Sequence, residues 1–316
     1  MLRIIALLAV LPLLGKESIV YLQTKEGATS ESKTSLAVIK VTINGKPRAI
    51  PLSTILSVHN GDAASPSEAE HITKGLAAIQ GDVTKAEARK ARDLAVEQLT
   101  AIGIPVITPL LKTYKDTDQH EPRPLYRLFE RVIPSHADAL DRGLSLIRLT
   151  TGESLRAKVE PFQLGTANWD QIRFFAVKQK QITRRLEVHS LRHSTQIEYF
   201  DTAVLFSATT KATVTASGFS RLSWEADGWA TDPNGLQVPG PNYKTNLVDG
   251  HPFGALVGRF KAGGDVLFIG RNWTAKQPAE GKLFLAINDN RHWQNNIGQY
   301  RVTIHATDAY DIGDPQ

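Results

Sequence analysis

Hydrophobic and polar positions change period three times along the 316 residues. An apolar run from Ile4 to Leu14, with Arg3 before it and Pro12 inside it, is short for a bilayer span and suits the apolar core of a signal peptide. Residues 17–60 read as β. Ile19 to Leu22 is one run, and Leu36 to Ile43 is a second, β-branched one that ends in the hairpin dipeptide Asn44-Gly45. Arg48 to Leu52 and Ile55 to His59 continue the pattern, with Pro51 favouring an edge because it cannot donate to a ladder.

Residues 61–142 switch to helical period. Ser65-Pro66-Ser67-Glu68 is a capping box with Pro at the first helical position, and Thr84-Lys85-Ala86-Glu87 is a second box. Ala88, Ala91, Leu94, Ala95, Leu99 and Ile102 share a helical stripe that Gly103 and Pro105 end. Val106 to Leu111 predicts a short helix, and Leu125, Leu128, Phe129 and Val132 another before Pro134. Ile-Gly-Ile-Pro at the hairpin resembles a HEAT-type repeat, although only about two hairpins fit where solenoids usually need three. Such a module serves as a spacer or as a protein-docking surface.

Residues 143–190 return to β, with Leu144 to Leu149, a Thr151-Gly152-Glu153 turn, Ser154 to Val159, and then Trp169 to Val177. Strand, Gly turn, strand, then Trp or Leu three residues before Ile echoes residues 36–58. Either one β module is interrupted by the helices, or two copies of a small β unit are present. From residue 191 onward, short strand-like runs recur at Ala203–Phe206, Ala212–Ala216, Leu222–Trp224, Ala255–Val257, Val266–Ile269, Leu283–Ile287 and Tyr300–Ile304. With no helical pattern among them, they predict an antiparallel, jelly-roll-like β-sandwich, with Thr231 to Pro252 as a long surface loop.

The expected fold is therefore multidomain α+β. Residues 1–16 are a signal peptide or N-terminal anchor, 17–60 a small β segment, 61–142 an α-helical (HEAT-like) module, 143–190 a β-hairpin segment and 191–316 the sandwich. Hydrophobic content of 41% and charged content of 22% are ordinary for globular protein. The absence of Cys excludes disulfides, thiolate metal sites and lipoprotein attachment. Together these point to an exported bacterial protein, periplasmic, cell-surface or secreted, with no membrane span beyond the N-terminal segment. Residues 201–316 hold 10 Lys and Arg against 11 Asp and Glu, so the net of +5 arises in the first 200. The densest basic patch, Lys178, Lys180, Arg184 and Arg185, reads as a solvated face near anionic envelope polymers, and no nucleic-acid partner is expected.

The chemistry concentrates between Ile287 and Tyr300, where one Asp, four Asn and a Gly lie between two strand-like runs. Side-chain oxygens in a clamped loop suit a hard cation such as Ca²⁺, or sugar hydroxyls, and equally an ordinary polar hairpin. There is no H-E-x-x-H, G-x-S-x-G, P-loop or G-x-G-x-x-G motif. His189 and His193, four apart in a strand-like stretch, would stand about 13 Å from one another, too far to share a metal. No catalysis is expected.

Asp227-Gly228-Trp229-Ala230, Gly254-Ala255-Leu256-Val257, Phe268-Ile269-Gly270, Gly281-Lys282-Leu283, Ile287-Asn288-Asp289 and Asn295-Asn296-Ile297-Gly298 occur in an order and spacing that resemble the PA-I type galactophilic lectin. More broadly they resemble galactose-binding-like β-sandwich domains. The likeness covers about residues 195–306. It implies a Ca²⁺ site of Asp289, Asn295 and Asn296 side chains with backbone carbonyls from about Asp232 and Trp293, the ion taking two sugar hydroxyls directly. Asn290, His292 and Trp293 would line the sugar, Trp293 either as a platform for a pyranose face or as a loop anchor. The loop from Asp289 to Asn295 is one residue shorter than in the lectin, and Pro241 and Lys244 stand where the lectin has its sugar-holding His and Gln. The expected function is thus a carbohydrate-binding, lectin-like exported protein. The alternatives are a structural or protein-interaction envelope protein whose sandwich has lost sugar binding, and, more remotely, an unrecognised hydrolase.

Overall fold

In the computed structural model, strand pairing runs through sixteen strands from both ends of the chain. The structure describes residues 17–80, 86–116, 143–195, 198–222, 230–236, 248, 250–261, 263–276, 279–289 and 296–313. The N-terminal 1–16, the second capping box at Thr84, the helix predicted at 125–132 and much of the Thr231–Pro252 loop lie outside them. Among the described residues no single helix is long and apolar enough to cross a membrane.

The first unit contains β1 (Ser18–Thr24), β2 (Thr29–Thr34), β3 (Val38–Ile43), β4 (Lys46–Pro51) and β5 (Ile55–His59). The β3–β4 turn is the predicted Asn44-Gly45, both at positive φ (50° and 77°), the pairing a tight hairpin demands. Pro51 closes β4, which stands at the end of the sheet order, as its missing N–H requires. Helices α1 (Pro66–Gln80), α2 (Ala86–Ile102) and α3 (Ile107–Asp116) follow. The Ser65 capping box forms: Ser65 N–H donates to Glu68 Oε2 at 2.8 Å, and Glu68 N–H donates to Ser65 Oγ at 3.2 Å. Gly103, at φ 73°, ends α2. The buried face of α2 is Ala95, Val96, Leu99 and Ile102. Leu94 of the predicted stripe is 47% exposed, because α2 turns Asp93 toward Arg259 of the C-terminal unit. These helices share a small core of their own, and the helix predicted at 125–132, which would extend a HEAT-like array, lies outside the described residues.

The chain then returns with β6 (Ser145–Leu149), β7 (Ser154–Val159), a small hairpin of β8 (Gln163–Leu164) and β9 (Ala167–Asn168), and β10 (Ile172–Gln179). Both readings of the β echo hold at once. Each copy has a hairpin, a 3₁₀ turn led by a buried apolar residue (Leu52 or Trp169) and a final strand beginning at Ile55 or Ile172. The copies interleave in the order β10-β5-β6-β7-β3-β4 around one core. The helical segment is an insertion between β5 and β6.

The C-terminal unit has β11 (Ile182–His189), β12 (Phe200–Arg221), β13 (Ala230–Thr231), β14 (Leu256–Arg259), β15 (Leu267–Phe268), β16 (Asn272–Thr274), β17 (Gly281–Ile287) and β18 (Ile297–Asp311). Two of the predicted runs, at Ala203 and Ala212, belong to the one strand β12. It bends at Ser207–Thr210 opposite Asp308 of β18, where the Ser207 and Thr210 hydroxyls donate to the Asp308 carbonyl at 3.1 and 2.8 Å. Before the bend β12 pairs with β17, and after it with β16 and β13. One long strand thus serves both layers, and Val204, Phe206, Leu256, Leu283 and Ile287 of one layer share a core with Leu186, Val214, Val302 and Ile304 of the other. The two β units are joined where Lys178 and Gln179 of β10 pair with Tyr310 and Ala309 of β18.

Candidate functional site

The end of β17 and the start of β18 approach one another, so Asp289 and Asn296 meet despite the six residues between them. Both are buried, at 1% and 5% exposure. Asn296 Nδ2 donates to Asp289 Oδ2, and also to the Ser190 carbonyl at 3.2 Å. The remaining amide oxygen, Asn296 Oδ1, is buried with no hydrogen-bond partner among the described residues. A buried carboxylate beside an orphaned buried amide oxygen is a donor set of the kind a hard cation uses. Asn290, His292, Trp293 and Asn295 lie outside the described residues.

The backbone around this pair is held from three sides. Thr195 Oγ1 accepts from Asp289 N–H at 3.2 Å and donates to the Asp289 carbonyl at 3.3 Å. Asn288, fully buried, donates through Nδ2 to the His251 and Pro252 carbonyls and accepts from Val248 N–H at 3.0 Å, so it clips the preceding loop rather than facing the site. Tyr300 donates from its hydroxyl toward the carbonyls of Asp232 (2.9 Å) and Gly254 (2.7 Å), and burial pushes its phenol well above the ordinary range. None of these three supporting roles is written in the sequence pattern. Only the adjacency of Asn288 to Asp289 hinted at one of them.

Asp232 occupies a turn of its own. Its carbonyl accepts from Gly235 N–H, Tyr300 Oη and Thr231 Oγ1, at 2.9, 2.9 and 3.0 Å. Its carboxylate takes Asn234 N–H at 2.7 Å and Arg271 Nη2 at 2.7 Å. Partial burial works to raise its pKa, but the Asn234 and Arg271 bonds outweigh it and hold the carboxyl below its usual value.

The His189–His193 pair departs from expectation: the ring centroids are 6.0 Å apart, not about 13 Å. β11 ends at His189, and the chain turns at once, His193 N–H donating to the His189 carbonyl and His193 Nδ1 accepting from His189 N–H at 3.0 Å. Even so, no group of three or more His, Asp or Glu suited to a metal occurs among the described residues. A separate cleft of about 300 Å³ lies where the three cores meet, with Tyr21, His59, Glu97, Arg148, Asp201 and Lys282 in its wall. Lys282 and Asp201, on the paired strands β17 and β12, form an ion pair in that wall at 2.7 Å.

A solved structure described as "EclA N-terminal domain; PllA-like lectin" is similar to part of this chain, at 25% identity over 40% of this chain and 98% of that one, with a TM-score of 0.31. No family model and no curated protein matches the chain.

Proposed function

We propose that the chain is an exported, non-catalytic carbohydrate-binding protein, with its binding site at the sandwich end that carries Asp289 and Asn296. The observation that carries this reading is the orphaned, buried Asn296 Oδ1 beside the buried Asp289 carboxylate. Leaving such an oxygen unpaired costs about 1–3 kcal/mol, which a bound cation would offset. The residues fit Ca²⁺. Asp289 and Asn296 would hold it through side-chain oxygens, with Asn295 and the Trp293 carbonyl added on the resemblance. Asp232, whose carbonyl already accepts three hydrogen bonds, is the weakest member of that implied set. Bound there, Ca²⁺ would supply open positions for vicinal sugar hydroxyls. Asn290, His292 and Trp293 would line the sugar.

The test is thermal unfolding of the full chain with Ca²⁺ and with chelator, followed by a glycan array under both conditions. At a hundredfold excess over its dissociation constant the ion adds about 2.7 kcal/mol of stability, a rise in Tm of several degrees. Asp289→Ala should abolish that rise. A protein that gains nothing from Ca²⁺ and captures no glycan would rule the reading out.

A second reading, a protein-interaction module, draws on a different observation. Leu191, Phe219 and Ile297 are 48%, 59% and 51% exposed. They gather at the same end of the sandwich, where Ser190 N–H meets the Gly298 carbonyl and Arg221 pairs with Ile297. Capture of a protein partner that Phe219→Ser abolishes, with no glycan bound, would favour it.

A further inference from the structure

The outer face of the layer β11-β18-β12-β16 carries a charge pattern that the Asp289 site does not use. Strand alternation there is clean: Leu186, Val214, Ala216, Val302 and Ile304 point into the core, and the residues between them point out. Cross-strand register then aligns the outward side chains in rows. One row is Arg185, Thr303, Thr215 and Asn272, and the next is Glu187, Arg301 and Ser217, with Arg271 beside it. These two rows line a shallow groove of about 640 Å³. Arg185 and Arg301 are exposed, and among the described residues neither guanidinium has an ion-pair or hydrogen-bond partner. Exposed Lys211 and Lys276 extend the face beyond the groove.

We propose that this face binds an acidic polysaccharide, its guanidinium groups taking uronate carboxylates and its Thr, Ser and Asn side chains taking sugar hydroxyls. Charge complementarity carries the choice. Residues 201–316 hold 10 Lys and Arg against 11 Asp and Glu, yet Lys211, Arg271, Lys276 and Arg301 gather on this one surface with Arg185. Against them stand Glu187 within the face and Asp232 and Asp308 at its margins, Asp232 being already bound to Arg271. The planar guanidinium fork matches a carboxylate with two parallel hydrogen bonds. A second copy of the chain would bring like charge against like. Single-stranded nucleic acid needs a succession of aromatic platforms for its bases, and the two rows carry none: the exposed rings of His305 and Phe219 stand in the flanking rows at opposite ends of the groove, and Trp273 of β16 packs against the core. This inference does not rest on the Ca²⁺ site.

The experiment is a titration of the full chain with fluorescently labelled polygalacturonate at low salt, with neutral dextran, dextran sulfate and a thymidine 20-mer as comparison arms. Polygalacturonate should bind, weaken as salt screens the exposed charges, and be indifferent to chelator and to Asp289→Ala. The double variant Arg185→Glu/Arg301→Glu should lose at least tenfold in affinity and keep its melting temperature. Lys40→Glu/Lys46→Glu, an equal charge change on exposed residues of the N-terminal unit, should change affinity less than twofold. No polygalacturonate binding, equal losses in the two variants, or preference for dextran sulfate or the thymidine oligomer would each overturn the proposal.

Discussion

Arg173 is 1% exposed, and every one of its five N–H donors has an acceptor. Nε and Nη2 hold Glu68 at 2.6 Å each, Nη1 reaches the Asn60 and Asp62 carbonyls, and Nη2 also reaches the Ala63 carbonyl. Glu68 meanwhile caps α1 by accepting Ser65 N–H. One buried ion pair therefore fixes the start of the helical insertion to strand β10. Arg173→Met should leave the Glu68 carboxylate buried and unpaired and lower the unfolding free energy by about 3–5 kcal/mol, read from urea midpoints. Glu68→Gln, which keeps an oxygen for the cap, should lose less than Glu68→Ala. The capping box was legible from four consecutive residues, because its bonds are local. Its partnership with Arg173 was not, because the two lie 105 positions apart. The same division applies at the candidate site. Asp289 and Asn296 stood out by residue type, whereas Thr195 and Tyr300 were invisible, since a Thr and a Tyr take a supporting role only through where the fold puts them.

The elements separate into those written locally and those shaped by their neighbours. Asn44-Gly45, the Ser65 cap and the Gly103 stop all form where the sequence marks them, since each depends on the backbone preferences of a few adjacent residues. Strand β12 instead looked like separate short runs, since the polar interval Ser207–Thr210 breaks the alternation. That interval is a corner between two layers, and its hydroxyls bind the matching bend in β18. The His189–His193 distance was misjudged for a related reason: the strand period was carried past the point where β11 ends. The helical insertion is pinched at its base, where Gly61 N–H donates to Ser145 Oγ at 3.3 Å and a Cβ on Gly61 would lie 2.0 Å from the Leu144 carbonyl oxygen. Gly61→Ala should therefore force the β5 exit and β6 entry apart and cost about 1–3 kcal/mol, measured by chemical denaturation. Gly45 has open space where Gly61 is blocked, and its requirement for glycine comes instead from its φ of 77°.

At the scale of the molecule, the two β units meet through Phe174, Ala176, Leu205 and Tyr310. Tyr310 donates from its hydroxyl to Glu31 Oε1 at 2.6 Å, and Lys178 reaches the same carboxylate at 3.0 Å. Burial, and then the bond to Glu31, pushes the Tyr310 phenol well above its ordinary value, and burial raises Tyr21 beside it. A phenol with a folded pKa above its unfolded value of about 10 contributes stability that is full below that pH and is lost as pH rises through the folded value. Tyrosinate absorbance from these two residues should accordingly appear above pH ~10 together with loss of structure rather than ahead of it. Tyr310→Phe should lower the melting temperature at neutral pH and shrink this alkaline loss. Ionisation of Tyr310 at pH ~10 in a still-folded protein would contradict the interface described.

By itself the sequence determined the succession β, α, β, β, the hairpins and caps, and the loop where candidate chemistry concentrates. Each of those follows from hydrophobic period or from the conformational preference of adjacent residues. Only the tertiary structure decided that the two β segments interleave into one sheet, that a single strand serves both layers of the sandwich, that Arg185 and Arg301 share a face, and that Asn296 Oδ1 is buried without a partner among the described residues. Those are outcomes of register and burial between residues far apart in the chain. A periodic pattern says which face of a strand is apolar, but not which other strand lies against it.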